Sequence, residues 1–153
     1  MPSLSKSFKF VVHTGVGSTA TSVAVGYPLY PFGISGTQIF TSIKEQGAGY
    51  YGTTNGLHTL VVATTPSFRG TATVQATLTT DPQEADWFNV SPAEFTYTAS
   101  SPGYIPGQLI GANPNGTSPG PRNDYSTFNG QFTWLRTRIA IDEGAVLSIK
   151  YNY

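Results

Sequence analysis

Short runs in which apolar and polar side chains alternate one for one, each ended by Gly or Pro, constrain this chain more than any other feature. From Gly70 to Thr79, Ala72, Val74, Ala76 and Leu78 take one parity, while Thr71, Thr73, Gln75, Thr77 and Thr79 take the other. Successive side chains of an extended strand point to opposite faces, so the run predicts a strand with one dry and one wet face. Near the C-terminal end, Ala145, Leu147, Ile149, Tyr151 and Tyr153 alternate with Val146, Ser148, Lys150 and Asn152. Within 131–141, Leu135, Ile139 and Ile141 share a face opposite Phe132, Trp134, Arg136 and Arg138. Asp142-Glu143-Gly144 between these two runs reads as a short hairpin connection. Further strands are predicted at 6–13, 22–27, 37–44, 56–65 and 94–97. No long segment holds a helical period. Thr is the most frequent residue, and with Val, Ile and the aromatics it suits a pleated, half-buried surface; 17 Gly and 11 Pro act as punctuation. The expected fold is all-β: an antiparallel β-sandwich, jelly-roll-like, of about eight strands, folded as one domain over residues 1–153. Ala72, Val74, Ala76, Leu78, Leu135, Ile139, Ile141, Leu147 and Ile149 are its expected shared core.

Two segments fall outside this pattern. Asp81-Pro82-Gln83-Glu84 places a capping Asp, a Pro at the first helical position and a Glu three residues after the cap, which predicts the chain's only helical turn near 82–86. Residues 99–123 hold five Pro and five Gly, with no charge before Arg122. Irregular stretches of that length are uncommon in compact domains. This one reads either as a surface loop or as an extended arm lying on its own subunit or a neighbour. Tyr104, Ile105, Leu109 and Ile110 give it apolar anchors that a pure linker lacks, which favours the arm.

Composition then removes whole classes of function. Charged residues are only 10% of the chain and cancel to a formal charge of zero, so clustered cations for nucleic acid or a membrane surface are missing. No apolar run is long enough to span a bilayer, and residues 1–10 lack the apolar stretch of a signal peptide. Without cysteine there is no disulfide framework, thiolate metal site or Cys nucleophile. His13 and His58 sit in separate expected strands and read as structural rather than as a metal pair. Asp81, Glu84 and Asp86 could suggest a calcium loop, but a capped turn with solvated carboxylates explains all three. No nucleophile elbow, paired catalytic carboxylates, metalloprotease motif or phosphate loop occurs, so no enzyme activity and no cofactor are expected.

What remains is aromatic. Gly47-Ala48-Gly49-Tyr50-Tyr51-Gly52 places two Tyr in a Gly-rich stretch, and Trp134 shares a strand face with Arg136 and Arg138. Exposed aromatics stack on sugar rings or anchor protein interfaces. The plainer alternatives are a turn packed on a sheet edge for Tyr50 and Tyr51, and a second core layer for Trp134. In that layer Arg136 lies over the indole or pairs with a carboxylate.

Residues 77–90, running Thr-Leu-Thr-Thr-Asp-Pro-Gln-Glu-Ala-Asp-Trp-Phe-Asn-Val, and residues 129–138 followed by 144–153 resemble segments of small β-rich virion proteins of tailed bacteriophages, particularly those infecting cyanobacteria. The resemblance implies a structural or decoration protein of the particle, without catalytic site or cofactor. Its partners would be other copies of itself and other virion proteins, such as the major capsid protein. It would be made in the host cytoplasm and reside in the virion as capsid cement or as a neck, baseplate or fibre component. A charge-poor, cysteine-free sandwich fits such a life, since near-zero net charge lowers repulsion between packed copies. The expected interface residues are Tyr104, Ile105, Leu109, Ile110, Tyr50, Tyr51, Trp134, Arg136 and Arg138. The alternative is a carbohydrate-binding sandwich that presents Tyr50, Tyr51 or Trp134 to a cell-surface glycan.

Overall fold

The alternating runs pair into antiparallel sheets whose dry faces meet. The structure, a computed structural model, describes residues 6–14, 21–25, 38–52, 56–102, 104 and 122–152. Its strands are β1 (Lys6–Ser7), β2 (Phe10–Thr14), β3 (Thr21–Val25), β4 (Gln38–Thr41), β5 (Glu45–Gln46), β6 (Leu57–Thr64), β7 (Arg69–Thr77), β8 (Phe88–Tyr97), β9 (Arg122–Asn129), β10 (Trp134–Glu143) and β11 (Val146–Asn152). One sheet runs β1-β11-β6-β9; the other runs β4-β10-β7-β8, with β5 also paired to β10. The hairpin β2–β3 forms a small third sheet, joined to the end of β4 by a bridge between Phe10 and Ser42. No α-helix occurs among the described residues. The all-β antiparallel sandwich read from the sequence is the fold.

The core lies between the four-stranded sheet and the five-stranded one. Leu60, Val62, Phe128, Ile149 and Tyr151 come from one, and Phe40, Ala72, Val74, Ala76, Leu135, Ile139 and Ile141 from the other. The small residues of β7 are matched across the ladders by large ones. Ala72 pairs with Ile139 and Phe95, and Ala76 pairs with Leu135 and Phe88. Such cross-strand matching sets large side chains beside small ones on the same face. Phe8, its ring stacked 4.7 Å from Tyr151, carries the chain from the first sheet toward the second.

Two core expectations fail, each for a local reason. Leu78 is 66% exposed because β7 stops at Thr77. There the Thr77 hydroxyl accepts the Thr79 N–H at 3.2 Å, a side-chain turn that draws the backbone out of the ladder. Leu147 is only half-buried because β11 changes register between Val146 and Ser148. This bulge puts Val146 in the core in place of Leu147.

The connections also differ from expectation. Asp142-Glu143-Gly144 is not a hairpin: β10 and β11 belong to opposite sheets, so the segment is a corner between them. Thr65–Phe68 makes a second corner from β6 to β7 beside it. Thr65 N–H donates to Ala145 O and Ala145 N–H donates to Thr65 Oγ1, both at 3.0 Å. Gly144, at φ 78°, lets the corners touch, since a Cβ there would lie 2.6 Å from Phe68 Cα. The helical turn exists as one 3-10 turn at Glu84–Asp86, but its cap is Gln83 rather than Asp81. A second 3-10 turn at Ala48–Tyr51 was not expected. The strand expected at 94–97 begins at Phe88, and β9 takes up Arg122 and Asn123 from the expected arm.

Candidate interaction surfaces

The outer face of β10 is where the sequence concentrated its aromatics and cations, and the fold separates their roles. Arg136 is buried. Its Nε donates to Gln75 Oε1 at 2.8 Å, its Nη atoms donate to both Glu84 oxygens at 3.1 and 2.6 Å, and its guanidinium lies 4.4 Å over the Trp87 ring. The fork thus clamps the Glu84–Asp86 turn onto the sheet and holds the Glu84 carboxyl below the ordinary carboxylate range. Arg136 pairs with a carboxylate, as the plainer alternative allowed, but the indole beneath it is that of Trp87 and not of Trp134. Asp86 is likewise used within the turn, accepting the Gln83 N–H at 2.7 Å. Arg138 is exposed one step along the strand.

Trp134 donates its Nε1–H to Thr80 O at 3.0 Å. Its ring meets the Lys44 ammonium at 4.5 Å and the Tyr50 ring at 5.0 Å, tilted by 57°. The indole is therefore part of a packed cluster rather than a bare platform. The Gly-rich stretch beneath it is tight. Gly47 N–H donates to Thr133 O and Gly49 N–H to Phe132 O, and a Cβ on either glycine would collide with the 131–132 backbone. His58 secures the same turn from inside. Its Nδ1–H donates to Gly56 O at 2.9 Å and its Nε2 accepts the Ala48 N–H at 3.3 Å, which fixes the neutral tautomer. Burial between Phe128 and Phe132 lowers its pKa.

Of the expected arm, Tyr104 docks on its own subunit: its hydroxyl donates to Glu143 Oε2 at 2.8 Å, the oxygen that also receives Arg69 Nε at 2.8 Å. Ile105, Leu109 and Ile110 lie outside the described residues, as do the side chains of Tyr51 and His13. Among the described residues, no group of three or more His, Asp or Glu is placed to hold a metal, and no helix is long and apolar enough to cross a membrane.

Two features escaped sequence reasoning. The first is an apolar end of the sandwich, where Leu78, Phe88 and Tyr50 are 66%, 44% and 47% exposed around the half-buried Phe132. Alternation alone would place Leu78 and Phe88 inside; only the end of the sheet leaves them out. The second is a cleft of about 500 Å³ on the open side between β8 and β9. Its floor is Tyr97, whose hydroxyl donates to Asp124 Oδ2 at 2.7 Å beneath the Arg122 guanidinium, 4.9 Å from the ring. Burial and the Asp124 charge push the Tyr97 phenol far above its ordinary value, so it stays protonated. Its residues come from strands in opposite sheets, which no spacing in the sequence announces.

Compared with family models, curated proteins and solved structures, the chain matches none.

Proposed function

We propose that the chain is a non-enzymatic structural protein of a phage virion that acts by packing against further copies of itself and against other virion proteins. The apolar end carries the reading. Leu78, Phe88 and Tyr50 gather at one end of the sandwich, and contiguous apolar surface of that kind marks a place where another protein sits. The occupant read here is a second copy of this chain, since a self-complementary apolar patch can pair across a two-fold axis.

Strand order adds support. With the two-residue β5 left out, and the other eight strands of the two main sheets counted along the chain, one sheet reads first, eighth, third, sixth and the other second, seventh, fourth, fifth. This order supports the jelly-roll reading, an architecture found in capsid proteins and also in lectins. The resemblance of residues 77–90, 129–138 and 144–153 to phage virion proteins favours the first use. The carbohydrate alternative at Tyr50 and Trp134 is weaker, because Lys44 and Thr80 already occupy the indole's ring and its N–H.

Size-exclusion chromatography with light scattering tests the reading. The expected mass is a multiple of 16.3 kDa. Leu78→Asp should give a monomer with an unchanged far-UV spectrum. A wild-type protein that stays monomeric at every concentration sinks the proposal.

A further inference from the structure

His58 is fully buried on the core face of β6, and a single aromatic side chain separates it from the apolar end. Phe132 is that side chain: its ring lies 5.8 Å from His58 and 5.9 Å from Phe88. Both ring nitrogens are used on backbone. Gly56 O accepts the Nδ1–H and also the Gly130 N–H, each at 2.9 Å, so the ring is tied to the segment that carries Phe132. Nε2 accepts the N–H of Ala48, the first residue of the 3-10 turn whose Tyr50 packs on Trp134. Gly47 caps that turn and has no side chain to offer it, so the turn's first N–H goes to the histidine. One imidazole thus joins the two pieces of chain that present Tyr50 and Phe132.

Among the described residues, the elements packed on this ring bring it no charge. β9 brings Phe128, stacked at 5.0 Å, while its Arg122 and Asp124 lie at the far end of the strand against Tyr97. The 130–132 segment brings Phe132 and the uncharged Gln131. On the 44–46 side, Lys44 lies over Trp134 and Glu45 sits opposite Leu135 in the ladder. The titratable groups that remain are phenols: Tyr50 against Trp134, and Tyr151 of β11, whose hydroxyl donates to Gln46 O. Burial therefore decides the protonation of His58, outweighing the Gly56 and Phe128 carbonyls that favour a second proton.

We propose that His58 is a pH switch for the apolar end: a proton taken from solvent onto Nε2 turns the acceptor of the Ala48 N–H into a second donor, releases the Ala48–Tyr51 turn and breaks up the patch formed with Tyr50 and Phe132. With the turn released, the ring meets water and takes its proton at the ordinary histidine value of 6.5; with the turn held, it does so only at lower pH. The released form therefore gains as pH falls below 6.5, and the turn closes again as pH rises. A single 3-10 turn can open in this way while the core strands stay shut. The inference rests on the assembly reading and adds its regulation: copies join at neutral pH and part in acid.

Amide NMR on the full chain carrying Leu78→Asp, scanned from about pH 8 to about pH 5, tests the switch apart from assembly. The Ala48 and Gly49 amide signals should move with the His58 ring protons on one midpoint below 6.5, while those of Leu135 and Ile139 stay in place. Light scattering on the wild type over the same range should show the multimer falling to 16.3 kDa on that midpoint. His58→Gln, whose amide offers one acceptor and one donor without titrating, should stay assembled throughout. His13→Gln, at the chain's other histidine, should keep the transition. The amide scan needs no change at His58, so it decides even if His58→Gln does not fold. An Ala48 amide indifferent to His58 titration, core amides moving on the same midpoint, or a transition lost with His13 would each overturn the switch. A multimer that persists to the acid end of the scan also overturns it and leaves the assembly reading intact. A wild type that is monomeric at the alkaline end overturns the assembly reading instead, and the amide scan still decides the turn.

Discussion

At the scale of single residues, two ionisable side chains lie in this sandwich with opposite consequences for pH. Arg136 stays charged and has its charge answered by Glu84, so it serves as a fixed strut. His58 is held neutral, because a second ring proton would point Nε2–H at the Ala48 N–H that it now accepts. The unfolded chain therefore takes up this proton more readily than the folded one. The stability that comes from keeping His58 neutral is fully present above pH 6.5, the ordinary histidine value, and falls as pH drops below it toward the lowered folded value. Glu84 contributes its own loss only below the ordinary carboxylate value of 4.5, so the two windows are distinct. Urea unfolding at a series of pH values across 6.5 should show a declining free energy for the wild type and a flatter one for His58→Gln. Equal slopes would mean that His58 titrates the same way folded and unfolded.

Elements were legible where a strand has one clean dry face and illegible where the fold asks something else of it. β7 and β10 could be read because Ala72, Val74, Ala76, Leu135, Ile139 and Ile141 all point inward. β9 could not. Its half-buried face begins Arg122, Asp124, Ser126, since these side chains bridge to β8, while Tyr125 on its other face is 76% exposed. Polar groups inside and an aromatic outside invert the signal on which strand reading rests. The candidate sites suffered similarly. Arg136 was singled out but is spent on Glu84 and Trp87. β11 shows how one inserted residue changes energetics. Ile149→Ala should cost about 2–5 kcal/mol, the range for truncating a core residue. Leu147→Ala, on the bulge, should cost less than half as much. Equilibrium denaturation of both variants decides, and a larger loss at Leu147 would contradict the bulge.

Across the whole molecule, the strands nearest the two chain ends are neighbours: β1 pairs with β11, and the chain then passes through Phe8 toward the β4 sheet. Both sheets are thereby joined through one early segment and through the paired corners at Thr65–Phe68 and Asp142–Ala145. Neither sheet can bury its dry face without the other, so their stability should be shared. Phe8 is a sharp probe, because it is fully buried and stacks on Tyr151 of the first sheet. Both tryptophans, Trp87 and Trp134, lie on the second sheet's side. Phe8→Ala should lower stability by about 3–5 kcal/mol, as truncation of a buried aromatic does. If the sandwich unfolds as one unit, this loss must appear equally in tryptophan fluorescence, which reports the distant sheet, and in far-UV circular dichroism, which reports both. Coincident, shifted transitions are the expected result. A variant whose fluorescence transition stays at the wild-type midpoint while the circular dichroism moves would show that the two sheets melt separately, despite the core and corners they share.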